Sequence, residues 1–125
     1  MARTIFLVDD EPVWLTALSD ALEQQNFKVV GFANGEEVLK KLKIQKPDLI
    51  LSDVRMPVMN GFDLFERVRS EPKLKNIPYI FMSSIDDYDA KRVAKELGAD
   101  DYVIKPYDTE DVKNIMSNLV KRFNL

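Results

Sequence analysis

Five side chains of this sequence, set far apart along the chain, have types that make sense together. Asp9 and Asp10 follow the apolar run TIFLV, and Asp53 closes LILSD just before a loop containing Pro57 and Gly61. Ser83, with Ser84 beside it, ends IPYIFMSS, and Lys105 ends ADDYVIK immediately before Pro106. Three carboxylates brought to one place repel one another, and one ammonium does not neutralise them. Either a carboxylate takes up a proton, with coupled titration, or a divalent cation binds. Oxygen ligands without imidazole or thiolate favour Mg²⁺, with Mn²⁺ possible, over zinc. Mg²⁺ prefers a few carboxylates, waters and a phosphate oxygen. An aspartate beside a cation and a lysine is suited to receive a phosphoryl group, because phosphoryl transfer needs mainly positioning and charge neutralisation. Asp53 is therefore the candidate phosphate acceptor, with Lys105 and the Ser83 hydroxyl holding phosphoryl oxygens.

Singly, each residue has an ordinary explanation. A strand-end aspartate is commonly a helix cap or turn former, a lysine a solvated charge, a serine a satisfied hydroxyl. The argument rests on their joint placement, which depends on the elements that carry them. TIFLVDD (4–10) reads as a buried strand, and Trp14, Leu18, Ala21 and Leu22 recur at helical spacing between 11 and 25, with Pro12 in the first turn. FKVVGFA (27–33) is a second strand, and Asn34 with Glu37 makes a capping-box start for the next helix. Strands at 47–53, 77–84 and 99–105 alternate with helices at 61–70 and 87–97, the latter closed by Gly98. A last helix from Asp108 buries Val112, Ile115, Met116, Leu119 and Phe123. Such alternation predicts a doubly wound α/β fold: a parallel sheet with right-handed crossovers and helices on both faces. Ligands of these sheets bind at the carboxyl ends of the strands, beside a topological switch point. The candidate acids, hydroxyl and lysine all fall at those ends.

The 125 residues form one domain, 1–125, long enough to bury about two-thirds of the unfolded surface. Histidine is absent, which excludes imidazole base catalysis, phosphohistidine on this chain and imidazole-bound zinc. Cysteine is absent too, which excludes disulfides and thiolate metal sites and fits a cytoplasmic location. A net charge of −3 argues against nucleic-acid binding, and KKLKIQK (40–46) reads as a solvated helix end. No apolar run of membrane-spanning length occurs, and the first ten residues are too acidic for a signal peptide.

The acidic pair Asp9-Asp10, LSDVRMPVMNG around Asp53, Ser83-Ser84 and YVIKP at Lys105-Pro106 together resemble the receiver domain of two-component response regulators. The resemblance covers essentially the whole chain. It implies a flavodoxin-like (βα)5 sandwich with five parallel strands in the order 2-1-3-4-5. It implies Asp53 as the phosphorylated aspartate, Asp10 as a direct Mg²⁺ ligand, Asp9 as a ligand through water, and the Arg55 backbone carbonyl as a further ligand. Ser83 and Lys105 match the residues that hold the phosphoryl oxygens, and Tyr102 the switch aromatic. The Lys105–Pro106 peptide is expected to be cis. Arg55 and Ile85 flank the site where the family tunes phosphoryl lifetime.

The phosphoryl donor implied is a sensor histidine kinase or a histidine phosphotransfer protein. Phosphorylation would shift the surface of the fourth helix, fifth strand and fifth helix, where Lys91, Arg92, Lys95, Tyr102 and Tyr107 are candidate output residues. The output is expected to be a downstream protein target or a fused effector; no effector follows Leu125, as in a stand-alone regulator or an excised receiver. Two other classes compete. An aspartyl-phosphate phosphatase would need an acid two residues after the nucleophile, where Arg55 stands. A phosphorylation-independent pseudo-receiver would lack an acid, the hydroxyl or the lysine, and all are present. A calcium loop at DDYDAKRV lacks the required glycine and closing glutamate.

Overall fold

Continuous apolar runs with β-branched residues make strands buried on both faces, and the three central strands of the computed structural model are of this kind, while its two edge strands are partly exposed. It describes residues 2–84, 87–105 and 108–125. Five strands alternate with five helices: β1 (Thr4–Val8), α1 (Pro12–Gln24), β2 (Lys28–Phe32), α2 (Gly35–Leu42), β3 (Leu49–Asp53), α3 (Gly61–Arg69), β4 (Tyr79–Ser83), α4 (Tyr88–Glu96), β5 (Asp101–Ile104) and α5 (Thr109–Phe123). All pair in parallel in the order β2-β1-β3-β4-β5, as expected. The strands are shorter than the sequence suggests. Pro47 and Pro78 stand outside β3 and β4, having no N–H for a central ladder. Asp9 and Asp10 stand outside β1, where the chain turns into α1.

The period-two alternation of the strands divides the core in two. Ile5, Leu7, Leu49, Leu51, Ile80 and Met82 face α1 and α5 and pack with Leu18, Leu22, Val112, Met116 and Leu119. Phe6, Val8, Ile50, Tyr79 and Phe81 face the other way, onto Val38, Leu64, Phe65, Val68, Ala90 and Ala94 of α2, α3 and α4. On that side Phe65, Tyr79 and Phe81 make a ring cluster with centroids 5.0 to 5.5 Å apart.

Helix ends follow the local chemistry. Asn34 caps α2 by accepting the Glu37 N–H at 3.0 Å. Asn60 and Asp63 form a reciprocal capping box at the start of α3. Past α4, Gly98 adopts φ 78°, a left-handed conformation that glycine takes without penalty. None of the described helices is long and apolar enough to cross a membrane.

Tyr79 ties this core to the loop that follows β3. Its ring is fully buried, its burial pushes the phenol pKa up, and its hydroxyl donates to the Gly61 carbonyl at 3.0 Å. Tyr79→Phe removes that second donor from a buried helix carbonyl and is expected to lower unfolding free energy by about 1 kcal/mol in urea denaturation. An unchanged midpoint would mean the bond contributes nothing net.

Candidate functional site

Three further ladder hydrogen bonds just past the strands' carboxyl ends set the backbone that carries the site. Asp9 N–H donates to Phe32 O at 3.1 Å, Val54 N–H to Met82 O at 3.2 Å, and Lys105 N–H to Ser83 O at 2.8 Å. The acids that follow β1 and close β3 therefore meet the lysine that follows β5 at the sheet's carboxyl edge. Carboxylate oxygens of Asp9, Asp10 and Asp53 lie within 4.8 Å of one another. The Lys105 ammonium sits between two of them, 3.1 Å from Asp9 Oδ2 and 3.3 Å from Asp53 Oδ2. These three partners are nearly buried, whereas Asp10 is partly open to solvent.

Burial dominates the electrostatics. It pushes the Asp53 carboxyl from 3.8 up to about 6; Lys105 pulls the other way and Asp9 adds to the rise. Burial also works to lower the Lys105 pKa, but the charges of Asp53 and Asp9 outweigh it and the net direction is up. The remaining oxygens divide unevenly. Asp53 Oδ1 accepts the Val54 N–H at 2.8 Å, and Asp9 Oδ1 accepts the Glu11 N–H at 3.0 Å. Asp9 Oδ2, fully buried, receives no well-directed hydrogen bond despite its ion pair with Lys105. A buried acceptor left in that state beside two other carboxylates fits a hard divalent cation of the Mg²⁺ type.

The loop after Asp53 is held tightly. The Gly61 N–H returns to Val54 O at 2.9 Å, and a Cβ at position 61 would lie 2.2 Å from the Asp53 carbonyl oxygen, so only glycine fits. Val58, almost fully exposed, is held at φ 68°, a conformation costly for a β-branched residue.

Arg55 does not reach the acids. Its guanidinium makes a two-pronged pair with Asp87, at 2.9 and 2.8 Å. The Ser83 hydroxyl also donates to Asp87, at 3.2 Å, and Tyr102, half-buried against the α2–α4 side of the core, directs its hydroxyl to the Asp87 carbonyl at 3.5 Å. Ile85, Pro106 and Tyr107 lie outside the described residues, and with them the expected cis peptide. Two site residues were not legible from the sequence. Trp14, read there only as part of the helical spacing of α1, instead lies with its ring 5.5 Å from the Lys105 ammonium. Asp87 was visible only as a residue at a helix start. With Glu11, Asp53, Arg55, Ser83 and Lys105 they line a cleft of about 260 Å³.

A doubly wound sheet with three carboxylates gathered at its switch point and a lysine just past the last strand defines a flavodoxin-like domain with a charged site at its carboxyl edge. The chain matches the model of the response regulator receiver domain over residues 5–117, and it belongs to that family. It is 34% identical over 98% of its length to the alkaline phosphatase synthesis transcriptional regulatory protein PhoP of Bacillus subtilis, of which the match covers 50%. A putative response regulator from Chloroflexus aurantiacus superimposes with a TM-score of 0.89 at 28% identity, covering all of both chains. The signal receiver domain of a signal transduction histidine kinase from Syntrophus aciditrophicus superimposes with a TM-score of 0.83 at 33% identity, covering 98% of this chain and 89% of that one. The chain spans about half the length of the first curated relatives it matches.

Two outcomes follow from this geometry. Val58→Gly relieves the positive φ and is expected to raise stability by about 1 kcal/mol, seen as a later urea midpoint. Asp53 has a raised folded-state pKa, so its contribution is favourable below about pH 4 and is lost as pH rises through about 6. Without metal, Asp53→Asn is therefore expected to stabilise the fold by about 1–2 kcal/mol at pH 7.5, with the gain fading toward pH 4. Thermal unfolding at the two pH values checks this; a gain independent of pH would refute the buried-charge account.

Proposed function

We propose that this domain accepts a phosphoryl group on Asp53 from a phosphohistidine of a partner protein, a sensor histidine kinase or a histidine phosphotransfer protein. The observation that carries the proposal is the lysine clamped between buried Asp9 and Asp53, with Asp10 alongside. A carboxylate oxygen of Asp53 forms the new P–O bond while the P–N bond of the donor breaks, and the departing imidazole keeps the electron pair and takes a proton. Asp9, Asp10, Asp53 and the Arg55 backbone carbonyl would hold Mg²⁺, or Mn²⁺ in its place. When bound, the cation neutralises the acids and the charge on the phosphoryl oxygens.

The chain's own residues do the rest. Lys105 stays in place to pair with a phosphoryl oxygen, and Asp53 is fixed in direction by the Val54 N–H. The Ser83 hydroxyl turns from Asp87 to the phosphoryl group, and Tyr102 follows into the space it leaves. Phosphorylation adds a charge of nearly −2 with strong acceptor oxygens, enough to bias a two-state surface. That surface is the outer face of α4, β5 and α5, offered to a downstream protein or a fused effector. Lys91, Arg92 and Lys95 are its candidate contacts.

Intact-mass measurement with acetyl phosphate tests the reading. Wild type with Mg²⁺ is expected to gain one phosphoryl group that hydroxylamine removes. EDTA should abolish the gain, and Asp53→Ala should show none. An adduct that survives in Asp53→Ala, or a folded wild type that never gains one, sinks the proposal.

A further inference from the structure

Asp87 accepts from four parts of the molecule at once. Its Oδ2 takes the Arg55 Nε–H at 2.9 Å and the Ser83 hydroxyl at 3.2 Å. Its Oδ1 takes the Arg55 Nη2–H at 2.8 Å and the Ala90 N–H at 3.2 Å, the latter capping α4. Its carbonyl lies 3.5 Å from the Tyr102 hydroxyl. The β3–α3 loop, the end of β4, the start of α4 and the middle of β5 therefore converge on one residue. The Arg55 pairing is the main cause that holds the Asp87 carboxyl below the usual range, so it is a charged acceptor at neutral pH.

Two of these partners, Ser83 and Arg55, line the cleft in which a phosphoryl group on Asp53 would stand. A hydroxyl and a guanidinium are the donors such a group would recruit, and both are already committed to a competing carboxylate. The geometry points to Asp87 as a latch: a positioning residue that withholds Ser83 and Arg55 from the phosphoacceptor site and yields them when Asp53 is phosphorylated. This rests on the phosphoacceptor reading of Asp53. Release changes what Asp87 holds at the start of α4, and its carbonyl is the acceptor for Tyr102. The latch thus joins the acceptor site to the α4–β5 face through a chain of hydrogen bonds.

The two oxygens of Asp87 allow a selective test. Asp87→Asn keeps an oxygen for the Ala90 cap and for one prong of Arg55, but removes the charge and the Oδ2 that accepts from both Arg55 and Ser83, so the fold is retained while the latch is weakened. Calorimetric titration with beryllofluoride, a phosphoryl mimic, in saturating Mg²⁺ reads the consequence. Asp87→Asn is expected to bind about three- to tenfold more tightly than wild type, the size of an ion pair and a hydrogen bond no longer broken on binding. Asp89→Asn removes the same charge from the same helix without touching Arg55 or Ser83, and its affinity should match wild type. Unchanged or weaker binding by Asp87→Asn overturns the latch, and so does an equal gain in Asp89→Asn, which would mean charge repulsion alone. A wild type that binds no beryllofluoride fails differently, since that outcome removes the phosphoacceptor reading itself.

Discussion

The ammonium of Lys105, held between two buried carboxylates, is the interaction on which the site depends. Asp9 and Asp53 are 1% and 4% exposed, and burying two carboxylates side by side is costly unless a cation is within reach. Lys105 supplies one positive charge against the three negative charges of Asp9, Asp10 and Asp53, which leaves a formal excess of −2. The fold tolerates that excess in part by raising the proton affinity of Asp53. A site that is electrostatically incomplete alone responds strongly to a cation or an anion, because either changes a balance no side chain can restore.

Parallel topology explains why these residues meet. Every strand of a parallel sheet ends on the same edge, so residues from β1, β3, β4 and β5 gather there without a long loop. The order β2-β1-β3-β4-β5 puts β1 and β3 side by side, so Asp9 and Asp10 just past β1 lie next to Asp53 at the end of β3. What remains is to keep the loop after Asp53 short of the cleft. Gly61 allows the close approach to the Asp53 carbonyl, Tyr79 anchors Gly61 from below, and the Asn60–Asp63 box starts α3 at once. The strain at Val58 is the accompanying cost, placed at the exposed tip where nothing packs against it.

The parts legible in the sequence were those written in periodicity and in residue type at an element's end. Strand and helix order, the two-faced core, the caps at Asn34 and Gly98, and the convergence of Asp9, Asp10, Asp53 and Lys105 all follow from such signals. Strand ends were less legible, because proline and turn geometry cut them back by a residue or two. Pairings between side chains from different loops were hardly legible. Nothing in the spacing of Arg55 and Asp87 says that their side chains meet, since that depends on how two separate βα connections lean over the same edge. Trp14 shows the same limit: helical spacing made it one of a stripe, and only the register of α1 against the sheet turns its ring to Lys105.

The contrast between Lys105 and Arg55 shows how the site separates holding from responding. Lys105 is enclosed, and its partners are residues that any bound anion would join rather than displace. Arg55 has an exposed side chain, and its partner Asp87 competes with such an anion. An exposed ion pair contributes only a few tenths to about 1 kcal/mol, so the Arg55–Asp87 pair does little for the stability of the fold. It is strong enough to fix which way two donors point and weak enough to be exchanged for a doubly charged group nearby. A buried pair at that position would have been too costly to break, and no pair at all would leave Ser83 and Arg55 without a defined resting place. The intermediate strength, set by Arg55 lying in solvent while Asp87 does not, is what allows one residue to serve as helix cap and as a partner that can be given up.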